Sequence, residues 1–110
     1  MEPHIINRQM EIVSSYIAYL ENSYKYINVL DTSLLKKKIE DIRKVYSYAS
    51  EPLQKEYLYV CNVSIGQLEL NSSISSCRFV IEAILFDLYN HLNELKKSRS
   101  KVDRTIILTH

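Results

Sequence analysis

The sequence predicts an all-α protein, a small antiparallel four-helix bundle. Apolar residues recur in steps of three and four along most of the 110-residue chain, which is the period of a helix that buries one face. Residues that cap or stop helices divide the chain into four such segments, joined only by short turns. Short turns between amphipathic helices favour antiparallel neighbours, so a bundle is the simplest arrangement.

The first helix is predicted to begin near Pro3, because proline is accepted in a first helical turn, and to end near Val29. Its core seam contains Ile6, Met10, Val13, Ile17, Leu20, Tyr24 and Ile27. A second apolar row stands one residue earlier, at Ile5, Ile12, Tyr16, Tyr19 and Tyr26. Adjacent residues are about 100° apart on a helix, so the two rows make a face wider than one seam requires.

The second helix is predicted to follow a break at residues 31–33, where Asp31 and its neighbours favour N-caps. Its stripe contains Leu35, Ile39, Ile42, Tyr46 and Ala49. Ser50 and Pro52 mark the next boundary, since serine caps helices and proline is tolerated in a first turn.

The third segment is the ambiguous one. A helix from about Pro52 to Leu70 would bury Leu58, Cys61, Ile65 and Leu68. Residues 57–65 are rich in β-branched and aromatic residues, which favours a strand. The alternative is therefore an α+β domain with short strands near 57–65 and 105–109. We favour the helix, because no hairpin dipeptide accompanies the run and an isolated strand has no evident partner.

The fourth helix is predicted from Ile74 to about Lys97, after a serine-rich break at 71–73. Its stripe contains Ile74, Cys77, Ile81, Leu85, Leu88, Leu92 and Leu95. Residues 98–110 are expected to form a frayed basic tail. The whole chain, residues 1–110, is expected to be a single domain.

Composition limits the classes of function. The net charge is only +1, and no apolar run approaches the roughly 20 residues needed to span a bilayer. No secretion signal is recognisable, so we expect a cytoplasmic protein without membrane contact, in which Cys61 and Cys77 are buried thiols. Phe, Tyr, Met, Ile, Asn and Lys total 42 residues against 11 for Gly, Ala, Arg and Pro. That bias is typical of AT-rich genomes, such as those of many viruses, phages and mobile elements.

Signals of catalysis are poor. His4, His91 and His110 lack partners at metal-ligand spacing, and a single glycine cannot supply a phosphate-binding loop. Asp87 and His91 stand at i and i+4, a spacing that predicts a hydrogen bond on the helix surface. We therefore expect no enzyme, no catalytic residues, no metal and no cofactor.

One alternative is enzymatic. Five residues separate Arg104 from His110. This spacing resembles the Arg-to-His motif of HEPN ribonucleases, a family of helical domains. The resemblance implies RNA cleavage that depends on His110. It departs from the family in the spacer, residues 105–109, whose composition is not typical of a helix, and no segment that could form a further helix follows.

Tyrosine points to an interaction surface. Three Tyr-x-Tyr pairs occur, and residues two apart on a helix cannot both face one seam, so at least one member of each pair should be exposed. Tyrosine is enriched in interfaces. We therefore predict a regulator or inhibitor that binds another protein, or itself as a homodimer. The predicted partner-binding residues are Ile12, Tyr16, Tyr19, Tyr26, Tyr48 and Tyr59.

A second alternative is a regulator that binds nucleic acid. Basic residues gather in two places and could contact phosphates. The near-neutral chain favours a solvated face instead, because dedicated nucleic-acid binders are usually basic overall. The candidate residues are Lys36, Lys37, Lys38, Lys96, Lys97, Arg99, Lys101 and Arg104.

Overall fold

The computed structural model describes the backbone of residues 1–109 and the side chains of residues 1–104. Within these residues the chain forms four helices: α1 (Pro3–Lys25), α2 (Thr32–Val45), α3 (Glu51–Leu70) and α4 (Ile74–Thr109). Single 3-10 turns, Ile27–Val29 and Tyr46–Tyr48, follow α1 and α2. The all-α prediction is confirmed. The α+β alternative is wrong, because residues 57–65 belong to α3 and residues 105–109 to α4.

Each helix runs antiparallel to the next one along the chain. Between α2 and α3, Lys36 Nζ lies 3.3 Å from Glu69 Oε1, and Arg43 donates a 2.9 Å hydrogen bond to Asn62 Oδ1. Later residues of α2 thus meet earlier residues of α3. Contacts join α1 to α2 and α4, and α3 to the same two helices, so α1 and α3 lie diagonally opposite each other.

The longest shared seam joins the first and last helices. Tyr24 of α1 donates a 2.8 Å hydrogen bond to Glu82 of α4, and Tyr89 donates one to Glu21. The direction is again antiparallel. Tyr24, which was predicted for the core seam, is instead 38% exposed, and both tyrosines hold the two helices together through their hydroxyls.

Caps fix two of the helix starts. Asp31 Oδ1 accepts a 3.2 Å hydrogen bond from the Leu34 amide, as its position predicts. Ser73 Oγ accepts one of 3.2 Å from the Ser76 amide at the start of α4. Ser50 occupies the N-cap position of α3, as predicted, but its side chain makes no capping hydrogen bond.

Two predicted helix ends are also wrong. α1 ends at Lys25 and continues as a 3-10 turn to Val29. α4 does not stop near Lys97 but reaches Thr109, through most of the expected tail. Val102 explains this extension, since it stands seven residues after the last stripe position and packs against the core.

The core fills the space between all four helices. On α3 the buried positions are Tyr57, Cys61, Ser64 and Leu68, while Leu58 and Ile65 are only half-buried. Cys61 and Cys77 are buried free thiols, as predicted. In the described part of the chain, no helix combines the length and apolarity needed to cross a bilayer. The fully buried large side chains are Tyr46, Ile6, Leu20, Leu35, Ile39, Ile42, Ile81, Ile84, Leu88, His91, Val13 and Val80.

Candidate functional site

The broad face of α1 is largely covered by α2. Ile12, Tyr16 and Tyr19 are half-buried against the core. Ile12 and Tyr16 line a shallow groove between α1 and α2, together with Tyr48. Lys38 Nζ lies 5.3 Å from the centre of the Tyr19 ring, a cation–π geometry. Three of the predicted partner-binding residues thus share one groove, whose walls belong to the chain's own helices.

The remaining predicted residues lie elsewhere. Tyr26 is exposed at the carboxyl end of α1, with Lys25 Nζ 5.4 Å from its ring centre. Tyr59 is exposed on the opposite side of the bundle, on α3. The six predicted residues therefore do not form one surface. Every Tyr-x-Tyr pair does expose at least one member, as predicted, through Tyr24, Tyr26, Tyr48 and Tyr59.

α3 carries a second apolar stripe on its solvent side. The stripe lies opposite the core positions of the same helix. Its four positions, 59, 63, 66 and 70, follow one another in steps of four, three and four residues. Three of its side chains are 70%, 50% and 88% exposed: Tyr59, Val63 and Leu70. The fourth position, between the last two, is Gly66. An apolar stripe on each side is unusual for a surface helix, which normally has one polar face.

Gly66 has no packing role within the chain. It is the only glycine in the sequence, and it lies in the middle of α3, where glycine costs up to about 1 kcal/mol relative to alanine. A Cβ atom built at Gly66 would meet nothing within 4 Å. The fold itself therefore does not require the missing side chain.

Two phenylalanines extend this apolar surface onto α4. Phe79 and Phe86 are 68% and 67% exposed, and their seven-residue spacing places them on one face. Gln67 Nε2 of α3 donates a 3.3 Å hydrogen bond to Ser76 Oγ of α4, and Phe86 lines a groove with Glu56. Phe86 therefore borders α3, and Phe79 lies on the same face of α4 two turns earlier. We call the combined surface the outer face: Tyr59, Val63, Gly66 and Leu70 of α3, with Phe79 and Phe86 of α4.

Sequence reasoning missed these phenylalanines, although a signal was present. They are the only two in the chain, and neither falls on the core stripe of the fourth helix. A large apolar ring at a position that the helical period assigns to solvent indicates an interaction surface.

The first basic group, residues 36–38, mostly contacts other side chains of the bundle. Lys36 pairs with Glu69 at 3.3 Å, and Lys38 lies against the Tyr19 ring. Lys37 alone of the three is fully on the surface. Glu69, the partner of Lys36, is two residues from Gln67 on α3, and Gln67 is hydrogen-bonded to Ser76 at the start of α4. The first basic group therefore lies near the amino end of α4.

The second basic group lies far from the first. It occupies residues 96–104 of α4, roughly 30 Å along the helix at 1.5 Å per residue. Lys97 pairs with Glu94 at 3.7 Å, and Arg99 with Asp103 at 4.0 Å. The two groups therefore do not combine into one patch.

A polar cluster is buried where α3, α4 and the second 3-10 turn meet. The Tyr46 ring centre lies 4.7 Å from that of Tyr57 and 5.5 Å from that of His91. The Tyr46 hydroxyl, Asp87 Oδ2 and both nitrogens of His91 have no hydrogen-bond partner among the described residues. The predicted surface hydrogen bond between Asp87 and His91 is therefore wrong, because both side chains are buried and unbonded to each other.

Burial disfavours the charged forms of the groups in this cluster. Desolvation, with a smaller contribution from Glu56, raises the pKa of Asp87 to about 6. Desolvation and Asp87 raise the pKa of Cys61 to about 12, against an opposing effect of Arg43. Burial lowers the pKa of His91. The raised pKa keeps Cys61 in the thiol form, which is less nucleophilic than the thiolate. No metal-binding group of three or more His, Cys, Asp or Glu residues exists in the described part of the chain.

The residues that resemble the HEPN motif are only partly described. Arg104 is exposed on α4, and the spacer at 105–109 continues that helix, contrary to the expectation from its composition. His110 lies outside the described residues.

Comparison with known proteins adds no relative. No protein-family model matches the chain, and no curated protein or solved structure matches it. The functional argument therefore depends on the residues and geometry described above.

Proposed function

We propose that this chain is a protein-interaction module whose contact surface is the outer face. The observation that carries the proposal is Gly66, which leaves a gap in the middle of an exposed apolar stripe although nothing in the chain fills that space. A glycine inside a helix commonly marks the close approach of another backbone or side chain. A partner helix lying along α3 would use such a gap.

Energetics favour covering this surface. Tyr59, Phe79 and Phe86 each leave about two thirds of the side chain in water. Burying a large apolar side chain completely contributes about 1.5–3 kcal/mol. Three such rings and an aliphatic stripe expose apolar surface on two adjacent helices, and clustered exposed apolar surface marks interaction sites on folded proteins.

The proposed role is that of an intracellular regulator or inhibitor that acts by binding. Two free buried thiols, Cys61 and Cys77, are consistent with a reducing compartment. The compositional bias described above is typical of viral, phage and mobile-element proteins, and small binding proteins of this kind need no catalytic site.

A photocrosslinking experiment tests the contact surface. One variant carries the photoreactive residue p-benzoylphenylalanine in place of Phe79. The matched control carries the same residue in place of Asn22. Asn22 is exposed on α1, which lies diagonally opposite α3. Irradiation in cells should give a discrete protein adduct from position 79 and little from position 22. Equal adduct yields from both positions would contradict the proposal.

A second candidate function is nucleic-acid binding, which one observation favours. α4 continues past residue 97, so the basic residues of segment 96–104 stand on one exposed helical stretch. This candidate predicts that affinity for a labelled 20-nucleotide RNA falls steeply with salt, and that Lys96→Gln lowers the slope of log K against log salt by about 1. Lys55→Gln, a change at an exposed lysine of α3 outside both basic groups, is the matched control. Absence of binding by fluorescence anisotropy at low salt would exclude the candidate.

A further inference from the structure

We infer that the occupant of the outer face is a second copy of this chain, with α3 packed antiparallel against the partner's α3 about a twofold axis. This inference rests on the proposed function and names its partner. A twofold interface must be complementary to itself, because the same patch is used on both copies.

The α3 stripe meets that condition. Its steps of four, three and four read the same in both directions. A twofold axis midway between Val63 and Gly66 would place each Val63 at the Gly66 position of the other copy. The same axis would bring Tyr59 beside Leu70. The gap at Gly66 is open and would receive the valine side chain, which accounts for the one glycine in the chain.

The phenylalanines of α4 lie near the same axis. Gln67 of α3 lies beside Ser76 of α4, and the two helices run in opposite directions. The midpoint of the α3 stripe is therefore level with Phe79, about four residues or roughly 6 Å from the midpoint of Phe79 and Phe86. The same axis would bring Phe79 of each copy close to Phe79 of the other, and Phe86 towards the amino end of α4 in the other copy.

Electrostatics permit the approach of two copies. Glu69, at the edge of the stripe, is paired with Lys36, and Glu82, near the phenylalanines, accepts a hydrogen bond from Tyr24. None of the six residues of the outer face is charged, and the charged residue between the two phenylalanines is Glu82. With a net charge of only +1 per chain, repulsion between copies is weak.

The available area fits a modest dimer. An aromatic side chain presents about 150–250 Å², so the exposed two thirds of Tyr59, Phe79 and Phe86 offer roughly 300–500 Å². Val63 and Leu70 add to this area. A standard specific interface buries about 800 Å² per partner. The face therefore approaches the lower range of specific dimers, and we expect an equilibrium that depends on concentration.

The test is the molar mass by static light scattering from about 1 to about 100 µM, a range that reports on micromolar association. The wild-type mass should rise from the monomer value of 12.9 kDa towards twice that value. Phe79→Glu combined with Phe86→Glu should remain monomeric. Tyr26→Glu, an exposed change on α1, should associate like the wild type. A dimer that survives the double change would overturn the inference.

Gly66→Ala separates association from folding. The added methyl group meets nothing within the chain and favours helix, so the urea midpoint should rise. The same methyl group occupies the gap for Val63, so the dimer dissociation constant should increase by about tenfold, as overpacking predicts. An unchanged dissociation constant would show that α3 does not pack in this register.

The two proposals fail differently. If the wild type is monomeric at every concentration but position 79 crosslinks to another protein, the self-interface is wrong and the interaction module stands. If the wild type is monomeric and position 79 gives no adduct above the Asn22 control, both are wrong.

Discussion

Asp87→Asn should stabilise the protein at pH 7.5 by up to about 3 kcal/mol, with the gain shrinking as the pH falls from about 6 to about 4. The folded-state pKa of Asp87 is raised from 3.8 to about 6. The unfolded chain therefore ionises first, and the wild type loses stability as the pH rises through this window. Asparagine carries no charge and avoids that loss.

Urea denaturation of both proteins at several pH values measures this effect. Asp103→Asn is the control, because Asp103 is exposed and pairs only with Arg99 at 4.0 Å; its effect should be small. A stabilisation by Asp87→Asn that does not vary with pH, or a loss of stability at pH 7.5, would contradict the assignment.

His91 has the opposite pH dependence. Burial lowers its pKa in the folded state, so the unfolded chain binds the proton more readily and stability falls as the pH drops below the ordinary value of about 6.5. In the wild type the effects of Asp87 and His91 partly cancel. Asp87→Asn should reveal the His91 effect as a rise in stability as the pH increases towards about 6.5.

The second large effect should separate the two apolar stripes of α3. Leu68→Ala is expected to lower the free energy of unfolding by about 2–5 kcal/mol, because it leaves a cavity in the core. Leu70→Ala should change it by less than about 0.5 kcal/mol. The two leucines are 3% and 88% exposed, although they lie two residues apart on one helix.

The measurement is urea denaturation at a protein concentration low enough to keep the chain monomeric. Both variants carry the same substitution, so helix propensity cancels in the comparison. Similar losses from the two changes would mean that both faces of α3 are buried in the monomer, and the outer face would lose its basis.

The fold was predictable where one seam dominates a helix. The second and last helices have such seams, and their apolar periods identify them. α3 was ambiguous for a physical reason. Apolar side chains on two opposite faces of a helix blur its period, and Val60 and Val63 add β propensity that tertiary packing overrides. The same double stripe that made α3 hard to assign is what gives the outer face its character.

The site was less predictable, because a sequence shows which face is apolar but not what covers it. The second row on α1 was assigned to a partner, yet α2 covers Tyr16 and Tyr19. The depth of His91 was equally hidden, since Tyr46 and Tyr57, from distant segments, close over it. Only the phenylalanines of α4 carried a local signal, through their position off the core stripe.

The long fourth helix also determines how the molecule diffuses. The chain measures 56 × 26 × 17 Å, with a radius of gyration of 15.6 Å, against about 13 Å for a compact domain of this length. A rod-shaped particle experiences more friction than a sphere of equal mass. On a gel-filtration column calibrated with spherical standards, even the monomer should elute early, at the position of a heavier protein.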